Sequence, residues 1–161
     1  MFREMRRKKQ MLSMEEADLV LTGSTSGVLA LDGDDGYPYA VPLSYVYDGS
    51  KIWFHCAGSG HKLDAIRRNQ KASFCVIGRD EVVPEKYTTR YQSVIVFGRI
   101  RIVEEDREKR EAIEKLALRY APDDTAAGRA RYIEHAWGAF CILEMSIDLI
   151  TGKQGAELLS Q

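Results

Sequence analysis

Apolar positions along the chain follow two rhythms, one near two residues and one near 3.6, and their alternation predicts the elements. Ala17, Leu19, Val20 and Leu21 follow Ser13-Met14-Glu15-Glu16, a capping box of the S-x-x-E type, which predicts a helix over 14–21 closed by Gly23. Residues 28–31 read as a short strand, and Asp32-Gly33-Asp34-Asp35-Gly36 as the turn of a hairpin into a strand over 39–47. Asp48-Gly49 then makes 39–47 and 51–56 a second hairpin. Gly58 and Gly60 break the pattern. Leu63 and Ile66 at helical spacing predict a short helix over 62–68, stopped at Asn69, a residue that tolerates the left-handed conformation.

Residues 72–77 form the next strand, with Phe74 and Val76, and 78–89 a polar loop holding Pro84. A long strand follows over 90–103, interrupted by Gly98. Tyr91, Ser93, Ile95 and Phe97 share one face, and Gln92, Val94, Val96 and Ile100 the other. Two mostly apolar faces suit a strand that lines a barrel and also meets a helix or a second subunit. Between 106 and 120 the period turns helical, with Ile113, Leu116, Ala117 and Tyr120 inward and Glu108, Lys109, Glu111 and Lys115 in water. Pro122-Asp123-Asp124 ends that helix. A further helix spans 126–136, and a strand over 140–150 is closed by Thr151-Gly152-Lys153.

About six short strands joined largely by hairpins favour a small antiparallel β-barrel with flanking helices over a doubly wound sheet. The 161 residues make a single domain, 1–161, with a basic N-terminal arm over 1–12 and a polar tail over 154–161. With 23 Lys and Arg against 24 Asp and Glu, the chain lacks the basic excess of a nucleic-acid binder. Cys56, Cys75 and Cys141 are far apart and odd in number, so neither a disulfide framework nor a zinc knuckle is expected. No apolar run approaches the ~20 residues of a membrane span, and no apolar stretch follows the basic start. The expectation is a cytoplasmic protein.

Three features carry candidate chemistry. At residues 58–62 a strand passes through small residues into a helix, with Ser59, His61 and Lys62 at the turn. Free N–H groups at a helix start, glycines and a lysine suit a phosphate, although many such turns bind nothing. The turn matches neither the dinucleotide fingerprint nor the P-loop. Pro42 cannot donate to a ladder, so its strand has an edge, bulge or break there. That is either a simple kink or a place where Val41, Pro42, Leu43 and Ser44 present main-chain groups to a planar ligand. His55 lies on the face opposite Phe54 and Cys56, as a hydrogen-bonded wall residue or one facing a ligand. No G-x-S-x-G or H-E-x-x-H is present, which argues against a serine hydrolase and a zinc site; no metal is expected.

Val41-Pro42-Leu43-Ser44-Tyr45, then Phe54-His55-x-Ala57-x-x-Gly60-His61-Lys62, then Tyr91-x-Ser93-Val94-x-x-Phe97-Gly98 resemble the pyridoxamine 5′-phosphate oxidase-related flavoproteins, and among them the 5-nitroimidazole-resistance branch. The resemblance spans roughly residues 6–153. It implies an FMN-binding split β-barrel that works as a homodimer with flavin sites at the subunit interface. Carried over by position, Gly60, His61 and Lys62, helped by Ser59, would meet the FMN phosphate. Val41 to Ser44 would lie along the flavin ring, with His55 and Ala57 near it and His55 as the candidate catalytic residue. Tyr91, Gln92 and Ser93 would contribute from the long strand, in the same subunit or the partner, and Trp137 would flank the ring. The implied activity is reduction of small aromatic or nitro compounds, with NADH or NADPH as donor. The further arginines of true pyridoxamine phosphate oxidases have no placed equivalent here. Two other readings stand beside this one: a non-catalytic FMN-holding or electron-relay module, and a haem-binding split barrel using His55, His61 or His135 as axial ligand.

Overall fold

The computed structural model describes residues 2–159; Met1 of the expected arm and Ser160 and Gln161 of the expected tail lie outside the described residues. In chain order the elements are α1 (Met14–Gly23), β1 (Ser26–Asp32), β2 (Pro38–Ser44), β3 (Val46–Tyr47), β4 (Lys51–Ala57), α2 (His61–Arg68), β5 (Lys71–Val83), β6 (Thr88–Ile102), α3 (Asp106–Tyr120), α4 (Ala126–Ala136) and β7 (Phe140–Gln154). All strand pairs are antiparallel, in one seven-stranded sheet of order β2-β1-β5-β6-β7-β4-β3. The two edge strands, β2 and β3, are consecutive in the chain and separated by Tyr45 alone. The sheet therefore curls until its edges meet at that residue, and a gap without ladder bonds remains between β2 and β4. This is a split β-barrel.

Each strand turns one face into the barrel. Leu29, Phe54, Phe74, Val94, Val96, Ile100, Leu143 and Met145 are fully buried there, closed at one end by Leu63, Ala65 and Ile66 of α2. A second cluster lies outside the barrel wall, where Trp53 and Ile142 meet Ile113, Leu116 and Ile133 of the α3–α4 pair. Three ion pairs tie α3 and β4 to this wall. Glu144, 6% exposed, takes Lys51 and Arg101 at 2.8 Å each, and Arg101 also bonds Glu108.

Five expectations need correction. The stretch 39–47 is not one strand: β2 pairs with β1, and only Val46 and Tyr47 pair with β4. Tyr45 points its side chain into the core and donates its hydroxyl to Leu21 C=O at 2.5 Å, which rotates the chain out of the ladder. That break makes the strands seven. The expected loop over 78–89 is mostly strand: β5 and β6 extend as a paired hairpin to a turn at Pro84–Lys86, with a bulge at Gly78. Its polar residues mislead because both faces of this extension are largely in water, so no apolar alternation is needed. β7 continues past Ile150 to Gln154, since Thr151, Gly152 and Lys153 pair with β6. Asn69 ends α2 in an extended conformation, φ −146°, its side chain accepting from Lys71 N–H.

Candidate functional site

The ladder phase fixes what the split offers. Gly33 N–H donates to Tyr37 C=O at 3.0 Å, and in an antiparallel ladder alternate opposed pairs exchange hydrogen bonds. Leu31–Tyr39, Leu29–Val41 and Gly27–Leu43 are thus the bonded pairs, and the main-chain groups of Ala40, Pro42 and Ser44 face the open side. The N–H that Pro42 lacks removes no ladder bond, which is why an edge strand tolerates it. Across the gap, Asp48 N–H donates to Lys51 C=O at 3.1 Å, so Val46–Trp53 is a bonded pair. His55 and Ala57 are next in phase and lie beyond the end of β3, so their main-chain groups also face the split. Val41 and Leu43 send their side chains against the core, whereas Pro42 and Ser44 are exposed.

At one end the split meets the residue 58–62 turn. Gly60 has φ +120° and ψ 174°, a region essentially reserved for glycine, and no heavy atom lies within 4 Å of where a Cβ would stand. Leu63 and Asp64 N–H groups both turn back to Gly60 C=O, at 2.9 and 3.3 Å. The N–H groups of His61 and Lys62 are left as the donors without a helical partner. Ser59 and Gly58 are exposed beside them. Lys62 makes no ion pair among the described residues, and its charge reaches His55 and Cys56. The His61 ring is engaged elsewhere: it stacks on Tyr39, centroids 4.1 Å apart, with Nε2 3.4 Å from Asp34, which also holds Arg68 at 2.7 Å. The sequence reading missed Asp34, which sits in a segment read only as a turn.

His55 projects from the outer face of β4 into a cavity of about 540 Å³ roofed by α3 and α4, with Leu116, Ala117, Ile133, Ala136 and Phe140 in its walls. His55 keeps a solvent-accessible side; its partial burial at the cavity, and secondarily the Lys62 charge, shift its imidazole below the ordinary histidine pKa of 6.5. Nothing in the sequence marked this chamber. The same Leu116, Ala117 and Tyr120 stripe reads as core packing in one dimension.

Residues 41–44, 55, 57 and 59–62 therefore gather along one slot. Tyr91, Gln92 and Ser93 do not join it within one chain. Gln92 and Ser93 pair with Gln154 and Lys153, while Ala57 pairs with Phe140. The two groups sit at opposite ends of β7, up to roughly 45 Å apart along a strand rising ~3.3 Å per residue. Trp137 packs edge-on against Phe140, and the Lys109 and Arg110 cations lie 4.5 and 4.7 Å from its ring centroid. A row of free main-chain donors and acceptors fits the edge of a planar heterocycle. The α2 start and Lys62 fit an anion attached to it.

By its architecture the molecule is a split-β-barrel protein. Three solved structures share the fold. A candidate 5-nitroimidazole antibiotic resistance protein from Bacteroides thetaiotaomicron has TM-score 0.77 and 20% identity over 89% of this chain and 86% of that one. A FAD-binding protein from Mesorhizobium loti has TM-score 0.66 and 22% identity over 91% and 98%. A FAD and heme binding protein from Mycobacterium smegmatis has TM-score 0.71 and 23% identity over 92% and 74%. A sequence comparison with curated proteins gave no match. Residues 13–154 match the pyridoxamine 5′-phosphate oxidase family model, and the chain belongs to that family.

Proposed function

We propose that the split holds FMN and that the protein is a flavin-dependent reductase of small aromatic or nitro compounds. The observation that carries this reading is the meeting, in one slot, of free β2 and β4 main-chain groups with the donor end of α2 and Lys62. In this reading the His61 and Lys62 N–H groups, the Lys62 ammonium and Ser59 hold the phosphate. Gly60 gives the backbone room to approach it. Ala40 and Ser44 N–H groups, and the carbonyls of Ala40, Pro42 and Ser44, read the polar edge of the ring. The flavin supplies two-electron chemistry. The chain binds it, shields one side of it, and offers the His55 imidazole as a proton carrier beside the chamber. NADH or NADPH is the proposed donor.

The reading also needs a second copy of the chain. Val28, Ile77 and Ile95 stand exposed on the outer face of β1, β5 and β6, and Val28, Cys75 and Ile95 lie in one cross-strand row. A partner covering this face would bury it and could bring its own Tyr91, Gln92 and Ser93 to the slot.

The test is the absorbance spectrum of the purified protein, with release and identification of any chromophore, followed by anaerobic addition of NADH or NADPH and then a nitroaromatic. Twin flavin bands, FMN at close to one per chain and reoxidation by the nitroaromatic support the proposal. A bound flavin that no nicotinamide reduces leaves a passive holder. A single intense Soret band would replace flavin with haem.

A further inference from the structure

The α3–α4 chamber has a chemistry of its own. Its walls are aliphatic and aromatic, and its polar groups are few and mostly committed. Tyr120 donates its hydroxyl to Thr25 and Tyr45 carbonyls, at 3.0 and 3.1 Å. The Asp124 carboxylate accepts from Thr125 N–H at 2.7 Å and lies against Gly128, in the first turn of α4, where a helix N-terminus stabilises an anion. His55 stands at the barrel wall, its imidazole shifted toward the neutral form. Tyr132, largely exposed, stands at the rim.

The remaining group is Arg129. One of its terminal nitrogens donates to Asp124 C=O, which fixes the guanidinium at the chamber, and it makes no ion pair among the described residues. An anchored guanidinium with free N–H groups beside an apolar cavity matches a carboxylate, which it can take two-pronged. A dianion such as a phosphate monoester suits it less, because one cation faces it and Asp124 stands nearby. A cationic ligand would meet both Arg129 and the Lys62 charge. The cavity volume falls in the range of small-molecule sites and leaves room for one ring or two fused rings between the sheet and the helices.

We propose that this chamber binds an aromatic carboxylate, its ring between α3 and α4 beside His55 and its carboxylate on Arg129. His55 lines the chamber with its side chain and the split with its main chain, so the inference names the substrate class of the proposed reductase and rests on that reading for its chemistry, though not for binding.

The experiment is calorimetric titration of the full-length protein, with and without added FMN, using benzoate and 1-naphthoate against the matched amides. Each acid should bind about tenfold or more tighter than its amide, the scale of one charge-assisted contact. Arg129→Gln should erase that difference with the circular dichroism spectrum and Tm unchanged, and Arg129→Lys should restore part of it. Ala136→Phe, which fills the chamber, should abolish binding of acid and amide alike. Equal affinity for acid and amide, no binding of either, or an acid preference that survives Arg129→Gln would overturn the proposal. Because the titration is read without flavin as well as with it, acid selectivity in a protein that refuses FMN would sink the reductase reading alone. FMN reduction without acid selectivity would sink only the chamber assignment.

Discussion

Single residues set the chemistry of the slot. Lys62 has no carboxylate partner among the described residues, so Lys62→Ala should leave Tm within about 2 °C, consistent with a ±0.5 kcal/mol surface change. Its effect should appear in flavin affinity, weakened by roughly 1.5–3 kcal/mol, the range for a hydrogen bond to a charged group. A fluorescence titration with FMN checks this, and unchanged affinity would put the phosphate elsewhere. Gly60→Ala imposes a side chain on φ +120°. It should cost about 1–3 kcal/mol in chemical denaturation, through strain rather than clash, since the space around it is open. The glycine was legible in the sequence as a break between strand and helix. Its backbone angle was not, because many glycine turns use ordinary angles.

Elements are held by a few polar ties whose strength depends on pH. Burial alone would raise the Glu144 carboxyl, but hydrogen bonds from Arg101 and Lys51 outweigh it and hold the group below its ordinary 4.5. Asp48 behaves alike: burial opposes, while Lys115, Trp53, Lys51 and Ser50 donate to it and keep it well below the carboxylate range. A carboxyl with a depressed folded-state pKa stabilises fully above its unfolded value and loses that stabilisation as pH falls through the folded one. Urea midpoints should therefore be flat near neutrality and fall below about pH 4.5. Glu144→Gln should lower the neutral-pH stability by roughly 1.5–3 kcal/mol and flatten the acid limb, because it removes the titrating carboxylate that ties β7 to Lys51 of β4 and Arg101 of β6. An acid limb of unchanged steepness would show that the Glu144 tie contributes little. At the N-terminal end, Ser13 accepts from Glu16 N–H and Glu16 from Ser13 N–H, so Ser13→Ala should cost about 1 kcal/mol through α1 alone. That box was readable because both of its bonds are local.

At the scale of the whole molecule, the exposed row on β1, β5 and β6 and the separation of residues 91–93 from the slot bear on the proposed second copy. If a second copy covers the row, Ile95→Arg should shift the protein to monomer in analytical ultracentrifugation and remove FMN binding with it, while the isolated fold keeps its circular dichroism. A dimeric variant that still binds FMN would assign the interface to another face. Val94, Val96 and Ile100 stay inside the barrel in either state, so this substitution separates assembly from folding.

The sequence by itself determined the helices, the strand cores, the barrel class and the local turn at residues 58–62, because each depends on neighbours within a few positions. The α3 and α4 bounds, Asp106–Tyr120 and Ala126–Ala136, coincide with their apolar periods. Only the tertiary structure decided the rest. Tyr45 breaks a strand by reaching Leu21, 24 residues earlier, and the polar hairpin over 78–90 is held by pairing that hydropathy does not encode. The open edges of β2 and β4 face each other because the whole sheet curls. The chamber exists because α3 and α4 stand off the outer wall of β4. Separations across a curled sheet carry no periodic signal, and there the composition of a slot or a cavity is first written.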